Sequence, residues 1–132
     1  MKIKHQVVVF DAAELEPESR FWAGVLGGEV ESDEQDDWHM VVVDGEPQMG
    51  IQLAPDHVRP QWPNGEPQQI HLDLWVEDVD AAHAEVMALG ATVLQPAVGV
   101  DSGDDFQVYA DPAGHPFCLC WVNPIVDDEG GR

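Results

Sequence analysis

The sequence is poor in basic residues: 5 Lys plus Arg stand against 26 Asp plus Glu, which gives a formal net charge of −21 over 132 residues. A chain with so few cations cannot neutralise the phosphates of a nucleic acid or the lipids of an anionic membrane surface, so we expect neither as a partner. The acidic excess either attracts a cationic small molecule to a cleft or forms a strongly solvated surface, and composition leaves both interpretations open.

Long apolar runs and cysteines are also scarce. The longest apolar runs, residues 7–10 and 117–122, are far shorter than the roughly 18 residues that cross a bilayer. The amino terminus lacks the apolar segment of a secretory signal, so we expect a cytoplasmic protein with no membrane span. The two cysteines, Cys118 and Cys120, are separated by one residue, which is unfavourable for a disulfide within an extended strand, and we expect both to be reduced.

Residues 1–54 are predicted to form a first β-α-β-β-β module. A β-branched run at residues 2–10 favours a strand, and Pro17 suits the first turn of the helix that follows. Gly27 and Gly28 can supply the left-handed conformation that ends this helix. Turn residues then separate three short predicted strands, at 29–32, 38–44 and 49–54.

Residues 69–122 repeat the same order of elements. A proline-rich connector at residues 55–68 precedes them, and an acidic tail at 123–132 follows. Asp78 is a plausible N-cap of the second helix and Gly90 its end. The predicted strands are 69–76, 91–95, 105–110 and 116–122. The sequence therefore predicts one α+β domain made of two modules.

Matching residues fall at a constant spacing in the two modules. His5 and His71 are 66 residues apart, as are Gln52 and Cys118. We therefore predict that the two histidines occupy equivalent positions. Strand alternation sets His71, Asp73 and Trp75 on the face away from the second helix, and Cys118 on the same side. His5, Gln52, His71 and Cys118 are accordingly expected to converge, although they are scattered in sequence.

These features resemble the vicinal oxygen chelate superfamily, which contains glyoxalase, bleomycin-resistance and extradiol dioxygenase proteins. The stretches that carry the resemblance are the early His5, Phe21-Trp22 through Gly28, Ile70-His71-Leu72-Asp73-Leu74, Ala88-Leu89-Gly90-Ala91, and Asp111-Pro112-Ala113-Gly114-His115-Pro116-Phe117-Cys118-Leu119. The last stretch, with Trp62-Pro63, resembles a glyoxalase-like subgroup most common in actinobacteria. The resemblance covers nearly the whole chain.

The resemblance implies two β-α-β-β-β modules forming a curved mixed sheet around a cleft, commonly in a homodimer. In metal-dependent members, the ligands match His5, Gln52, His71 and Cys118 in this sequence. Here Cys118 replaces the usual carboxylate of the last strand, and Gln52 stands where Glu is common. Zn²⁺, Fe²⁺, Ni²⁺ or Mn²⁺ could use His5 and His71, but the matched set supplies no carboxylate, so we expect no metal cofactor.

Three functions remain open at this point. The first is a metal-independent protein that binds a small cationic or aromatic ligand in a pocket lined by His5, Val7, Gln52, His71, Asp73, Trp75 and Cys118. The second is a metal-dependent lyase, isomerase or dioxygenase that uses His5 and His71, with Asp73 as a replacement ligand or as a group that orients His71. The third is an accessory domain without a small ligand.

The remaining histidines lie outside these patterns. His83 falls in the second predicted helix and is expected to be solvated, because it has no ligand partner one turn away. His39 and His57 have no recognisable motif around them.

Overall fold

The computed structural model describes residues 1–65, 70–96 and 106–121. Along the chain the elements are β1 (Val8–Ala12), α1 (Leu15–Leu26), β2 (Glu29–Ser32), β3 (Trp38–Val43), β4 (Glu46–Leu53), β5 (Leu72–Trp75), α2 (Val79–Leu89), β6 (Thr92–Gln95), β7 (Phe106–Ala110) and β8 (Pro116–Cys120). They divide between two compact units, Met1–Arg59 (unit 1) and Pro60–Arg132 (unit 2). Each unit has the order β-α-β-β-β, so the predicted α+β fold of two modules is confirmed.

Each unit contains one mixed four-stranded sheet. The strand order is β1-β4-β3-β2 in unit 1 and β5-β8-β7-β6 in unit 2. The first strand of each unit runs parallel to the last, and the other pairs are antiparallel. A parallel pair needs a long crossover connection, which the helix and the two intervening strands provide.

In unit 1 the apolar core lies between α1 and the sheet. Trp22 of α1 is fully buried and meets Phe10 of β1 edge to face, with ring centroids 5.5 Å apart. Val41 and Ile51 are also fully buried. Because side chains alternate along a strand, Phe10 and its register partner Ile51 mark the face that α1 covers.

In unit 2 the face towards α2 is marked by Tyr109. Its hydroxyl lies 2.7 Å from Nδ1 of His83 on α2, and its ring stacks on Phe117 at 5.4 Å. Tyr109 and Phe117 are fully buried. The expectation that His83 is solvated is therefore wrong, because His83 is half-buried and holds the helix to the sheet.

The helix ends follow the sequence signals. Gly27 and Gly90 end α1 and α2 in the left-handed region, at φ 71° and 118°. A residue with a Cβ is strained in that region, which explains glycine at both positions. The Asp78 carboxylate accepts a hydrogen bond from the Ala81 amide at 3.0 Å and caps α2 as predicted.

The first strand of each unit is shorter than predicted. β1 begins at Val8, because its parallel ladder starts where Val8 pairs with Met49 of β4. β5 likewise begins at Leu72, opposite Phe117. Several predicted segments lie partly or wholly outside the described residues. They are residues 66–68 of the connector, the first residue of each of the strands predicted to begin at 69 and 105, the end of the last strand at Val122, and the whole tail, 123–132. Among the described residues, no helix is long and apolar enough to cross a membrane.

Candidate functional site

The face of the unit 2 sheet that points away from α2 carries the polar side chains of β5. Since Phe117 and Tyr109 face α2, their strand neighbours Cys118 and Val108 face the other way. Asp73 is the register partner of Cys118, and Trp75 that of Cys120. We call this surface the open face of unit 2, defined by Asp73, Trp75, Val108, Cys118 and Cys120.

Three potential ligand atoms meet at one end of this face. Nε2 of His71 lies 3.2 Å from Oδ1 of Asp73, and one ligand atom from each of His71, Asp73 and Cys118 lies within 4.8 Å of the other two. The His71 and Asp73 side chains are 55% and 35% exposed, whereas Cys118 is buried. The cluster therefore has two members that solvent reaches and one that is held in the protein.

Both thiols are held in their protonated form. Burial raises the pKa of Cys118 to about 12, and the neighbouring Asp73 carboxylate adds to this by its charge and by accepting a hydrogen bond. Burial, with a smaller contribution from the charge of Asp73, raises the pKa of Cys120 to about 11. At neutral pH these cysteines are uncharged groups with low nucleophilicity, because the thiolate is the reactive form.

The rest of the open face is apolar. Val108, Cys118 and Cys120 form a buried cluster, and the partly buried Trp62 and Leu94 pack against it. Trp75 and Phe106 are 41% and 42% exposed at its margin. An apolar floor with a few polar groups at one end is the usual composition of a small-molecule site.

The remaining predicted site residues belong to unit 1. His5 is exposed, Val7 is half-buried and Gln52 is exposed on β4. Gln52 pairs with Asp11, and Trp38 is its partner on the other side. Since Asp11 directly follows Phe10, which faces α1, Asp11 and Gln52 lie on the face away from α1.

The predicted equivalence of His5 and His71 is wrong. His71 directly precedes β5, whereas His5 stands three residues before β1. In both units the first strand begins seven residues before the helix, at Val8 before Leu15 and at Leu72 before Val79, so the residue of unit 1 that stands where His71 stands is Val7. The shared spacing of 66 residues is not a shared position in the strands.

The cluster of His71, Asp73 and Cys118 has a donor set that fits some metals better than others. Imidazole nitrogen, carboxylate oxygen and thiolate sulfur are all accepted by Zn²⁺. A hard ion such as Mn²⁺ finds only one carboxylate in this cluster. Metal binding would have to displace the Cys118 proton.

Two features of the face were missed by sequence reasoning. His71 was predicted to lie within the strand, but it stands just before β5, and its Nε2 lies 3.2 Å from Oδ1 of Asp73. Trp62 was treated as part of an irregular connector, yet it packs on the thiol cluster. Only its aromatic character in a proline-rich segment could have indicated this.

A family model described as a glyoxalase-like domain matches residues 7–120. A search of the curated proteins gives no match. Among solved structures, the fosfomycin resistance protein FosX from Listeria monocytogenes is similar at TM-score 0.68 and 14% identity, over 93% of this chain and 94% of that one. A glyoxalase-related enzyme from Fulvimarina pelagi is similar at TM-score 0.64 and 19% identity, over 98% and 96%. At these identities the likeness shows a shared fold.

The raised thiol pKa values predict a loss of stability in alkali. Above the ordinary pKa of 9.0 the unfolded chain releases thiol protons that the folded chain retains up to about 11 and 12, so the free energy of unfolding falls as pH rises through this window. Urea denaturation at several pH values between 8 and 11 should show that the free energy of unfolding falls less steeply with pH in the double variant Cys118→Ser, Cys120→Ser than in the parent chain. Part of the pH dependence should remain in the variant, because burial also raises the pKa of Tyr109. The same pH dependence in variant and parent would contradict this account.

Proposed function

Since the chain belongs to the glyoxalase-like domain family, we propose that it binds a small aromatic, cationic molecule on the open face of unit 2. The observation that carries the proposal is the combination on one face of an apolar thiol floor, the exposed Trp75 ring and the His71–Asp73 pair. Pockets of this composition use the apolar part for affinity and the polar groups for orientation.

The aromatic preference follows from Trp75. The indole of Trp75 is 41% exposed, although its register partner on β8, Cys120, is buried. A flat ligand can stack on such a ring, and a cation over an indole face gains about 0.5–2 kcal/mol.

The cationic preference follows from Asp73. Its side chain is 35% exposed, two residues from Trp75 on the same face. A ligand that stacks on the indole can therefore bring a positive group to this carboxylate. The net charge of −21 adds a general attraction for cations and disfavours anions.

Ligand binding is testable by thermal shift and tryptophan fluorescence on the full chain. In a panel of size-matched aromatic amines, neutral aromatics and aromatic carboxylates, the amines should raise the melting temperature most. Trp75→Ala should weaken binding of the best amine about 3- to 30-fold, the range expected from a lost cation–π contact. Met87→Ala, an exposed apolar residue of α2, serves as the matched control and should leave affinity unchanged.

Two outcomes would overturn this function. One is the absence of stabilisation by any member of the panel. The other is an amine that binds Trp75→Ala as tightly as the parent chain, which would place the ligand elsewhere.

A metal-dependent activity is a second candidate, favoured by the position of His71, Asp73 and Cys118 within 4.8 Å of one another. An ion held there would act as a Lewis acid in a lyase or isomerase reaction. The residues themselves would hold the ion through nitrogen, oxygen and sulfur atoms and leave room for a substrate oxygen on the exposed side.

Cobalt(II) spectroscopy tests this second candidate independently of activity. If Cys118 coordinates the ion, addition of Co²⁺ should produce a sulfur-to-metal charge-transfer band in the near ultraviolet, and Zn²⁺ should abolish it. Cys118→Ser should lose the band and His71→Ala should weaken Co²⁺ binding, while Cys120→Ser should retain the band. A parent chain that shows no band with excess Co²⁺ at pH 8 would overturn the metal site.

A further inference from the structure

Unit 1 contains a cavity of about 800 Å³ beside α1, separate from the residues used above. It is bounded by the first turns of α1, by β2 and by the loop before β3. Three of its lining residues, Ser19, Asp36 and His39, come from different elements. They bring a hydroxyl, a carboxylate and an imidazole to one cavity.

Ser19 and His39 are joined by a short hydrogen bond. Oγ of Ser19 lies 2.8 Å from Nδ1 of His39, and both residues are buried, at 1% and 9% exposure. A serine inside a helix ordinarily donates to a carbonyl one turn earlier, and here the Glu16 carbonyl is 3.3 Å away. The His39 contact is shorter by half an ångström, so the hydroxyl proton is best placed on the line to Nδ1.

Asp36 orients the other side of the imidazole. Its Oδ1 lies 3.3 Å from Nε2 of His39. In the tautomer with the proton on Nε2, His39 donates to Asp36 and presents the Nδ1 lone pair to the Ser19 hydroxyl. A serine, a histidine and an acid joined in this order are the groups of a serine-hydrolase relay, here with the two ring nitrogens exchanged, because Ser19 meets Nδ1 and Asp36 meets Nε2.

We propose that Ser19, His39 and Asp36 form an ester-hydrolysing site in the unit 1 cavity. The proposal goes beyond ligand binding on the open face of unit 2, since it uses other residues and another unit. Ser19 is the nucleophile, His39 the general base and acid, and Asp36 the positioning residue that fixes the tautomer of His39.

The chemistry requires only an ester and water. Oγ of Ser19 attacks the carbonyl carbon while Nδ1 of His39 takes the hydroxyl proton; the carbon–oxygen bond to the alcohol then breaks, and Nδ1 returns the proton to the departing oxygen. Water attacks the acyl-serine, gives a proton to Nδ1 and displaces Oγ, which recovers that proton. The products are the acid and the alcohol, and the three side chains return to their starting states.

The lining of the cavity indicates the substrate class. Glu14, Glu16, Glu29 and Asp36 place four carboxylates around it, against one guanidinium, Arg20. Arg20 is paired with Glu16 at 3.1 Å and is 70% exposed. The surplus of negative charge favours small esters that are neutral or cationic and disfavours anionic ones.

A fluorophosphonate probe tests the nucleophile directly. Incubation of the full chain with the probe, followed by peptide mapping, should place one phosphonyl group on Ser19, with fluoride as the leaving group. Ser19→Ala should abolish the label, and His39→Gln should slow labelling about 100-fold or more. Asp36→Asn should slow it by a smaller factor, because that carboxylate is 79% exposed. The rate at which these variants hydrolyse p-nitrophenyl acetate should fall in the same order.

Ser32 provides the matched control. It lines the same cavity and is the strand partner of His39, yet it is exposed and sits on the edge strand β2. Ser32→Ala should label as the parent chain does. Circular dichroism melts identify any variant that fails to fold. If His39→Gln unfolds, Asp36→Asn still tests the proposal, because Asp36 is exposed. No label on the parent chain, a label on Ser32, or labelling of Ser19 that Asp36→Asn leaves unchanged would overturn the proposal.

Discussion

Each four-stranded sheet packs its alternate apolar residues against one helix, and this packing decides where the remaining side chains go. In unit 2 the fully buried Tyr109 and Phe117 face α2, so Cys118 and Cys120 must face the other way. In unit 1 Phe10 meets Trp22 of α1, and Asp11 is thereby turned to the opposite face. The helix contacts are thus the constraint on which both candidate sites depend.

The two sides of the sheets carry different chemistry. On the open face of unit 2, burial and, to a smaller degree, the neighbouring Asp73 carboxylate raise the pKa values of both thiols, so the apolar floor stays uncharged. On the helix side of unit 1 a histidine occupies a position where an apolar residue would be expected, and its burial is compatible with folding because Ser19 and Asp36 satisfy both ring nitrogens. His39 is therefore a buried polar residue with a hydrogen-bond partner at each ring nitrogen, and it lies beside the cavity in which we propose the ester-hydrolysing site.

Much of the fold could be predicted from local signals. Asp78, Gly27 and Gly90 mark helix ends through their own backbone chemistry, and the strand runs show the expected alternation. The position of Asp73 and Cys118 on one face also followed from alternation, whereas His71 lies just outside the strand. The equivalence of His5 and His71 failed because register depends on backbone pairing with β4 and β8, which residue spacing does not determine. The contact between Ser19 and His39 could not be foreseen, since it joins a helix to a strand 20 residues away.

The central claim is that small ligands bind the face of the unit 2 sheet that α2 leaves uncovered. The most direct measurement is a titration of the ¹⁵N-labelled chain with the tightest-binding aromatic amine, followed by backbone amide shifts. We predict the largest shifts at Asp73, Trp75, Cys118 and Cys120, with small shifts along Val79–Leu89 of α2. Shifts that concentrate on α2, or on unit 1 with none in β5 and β8, would contradict the account.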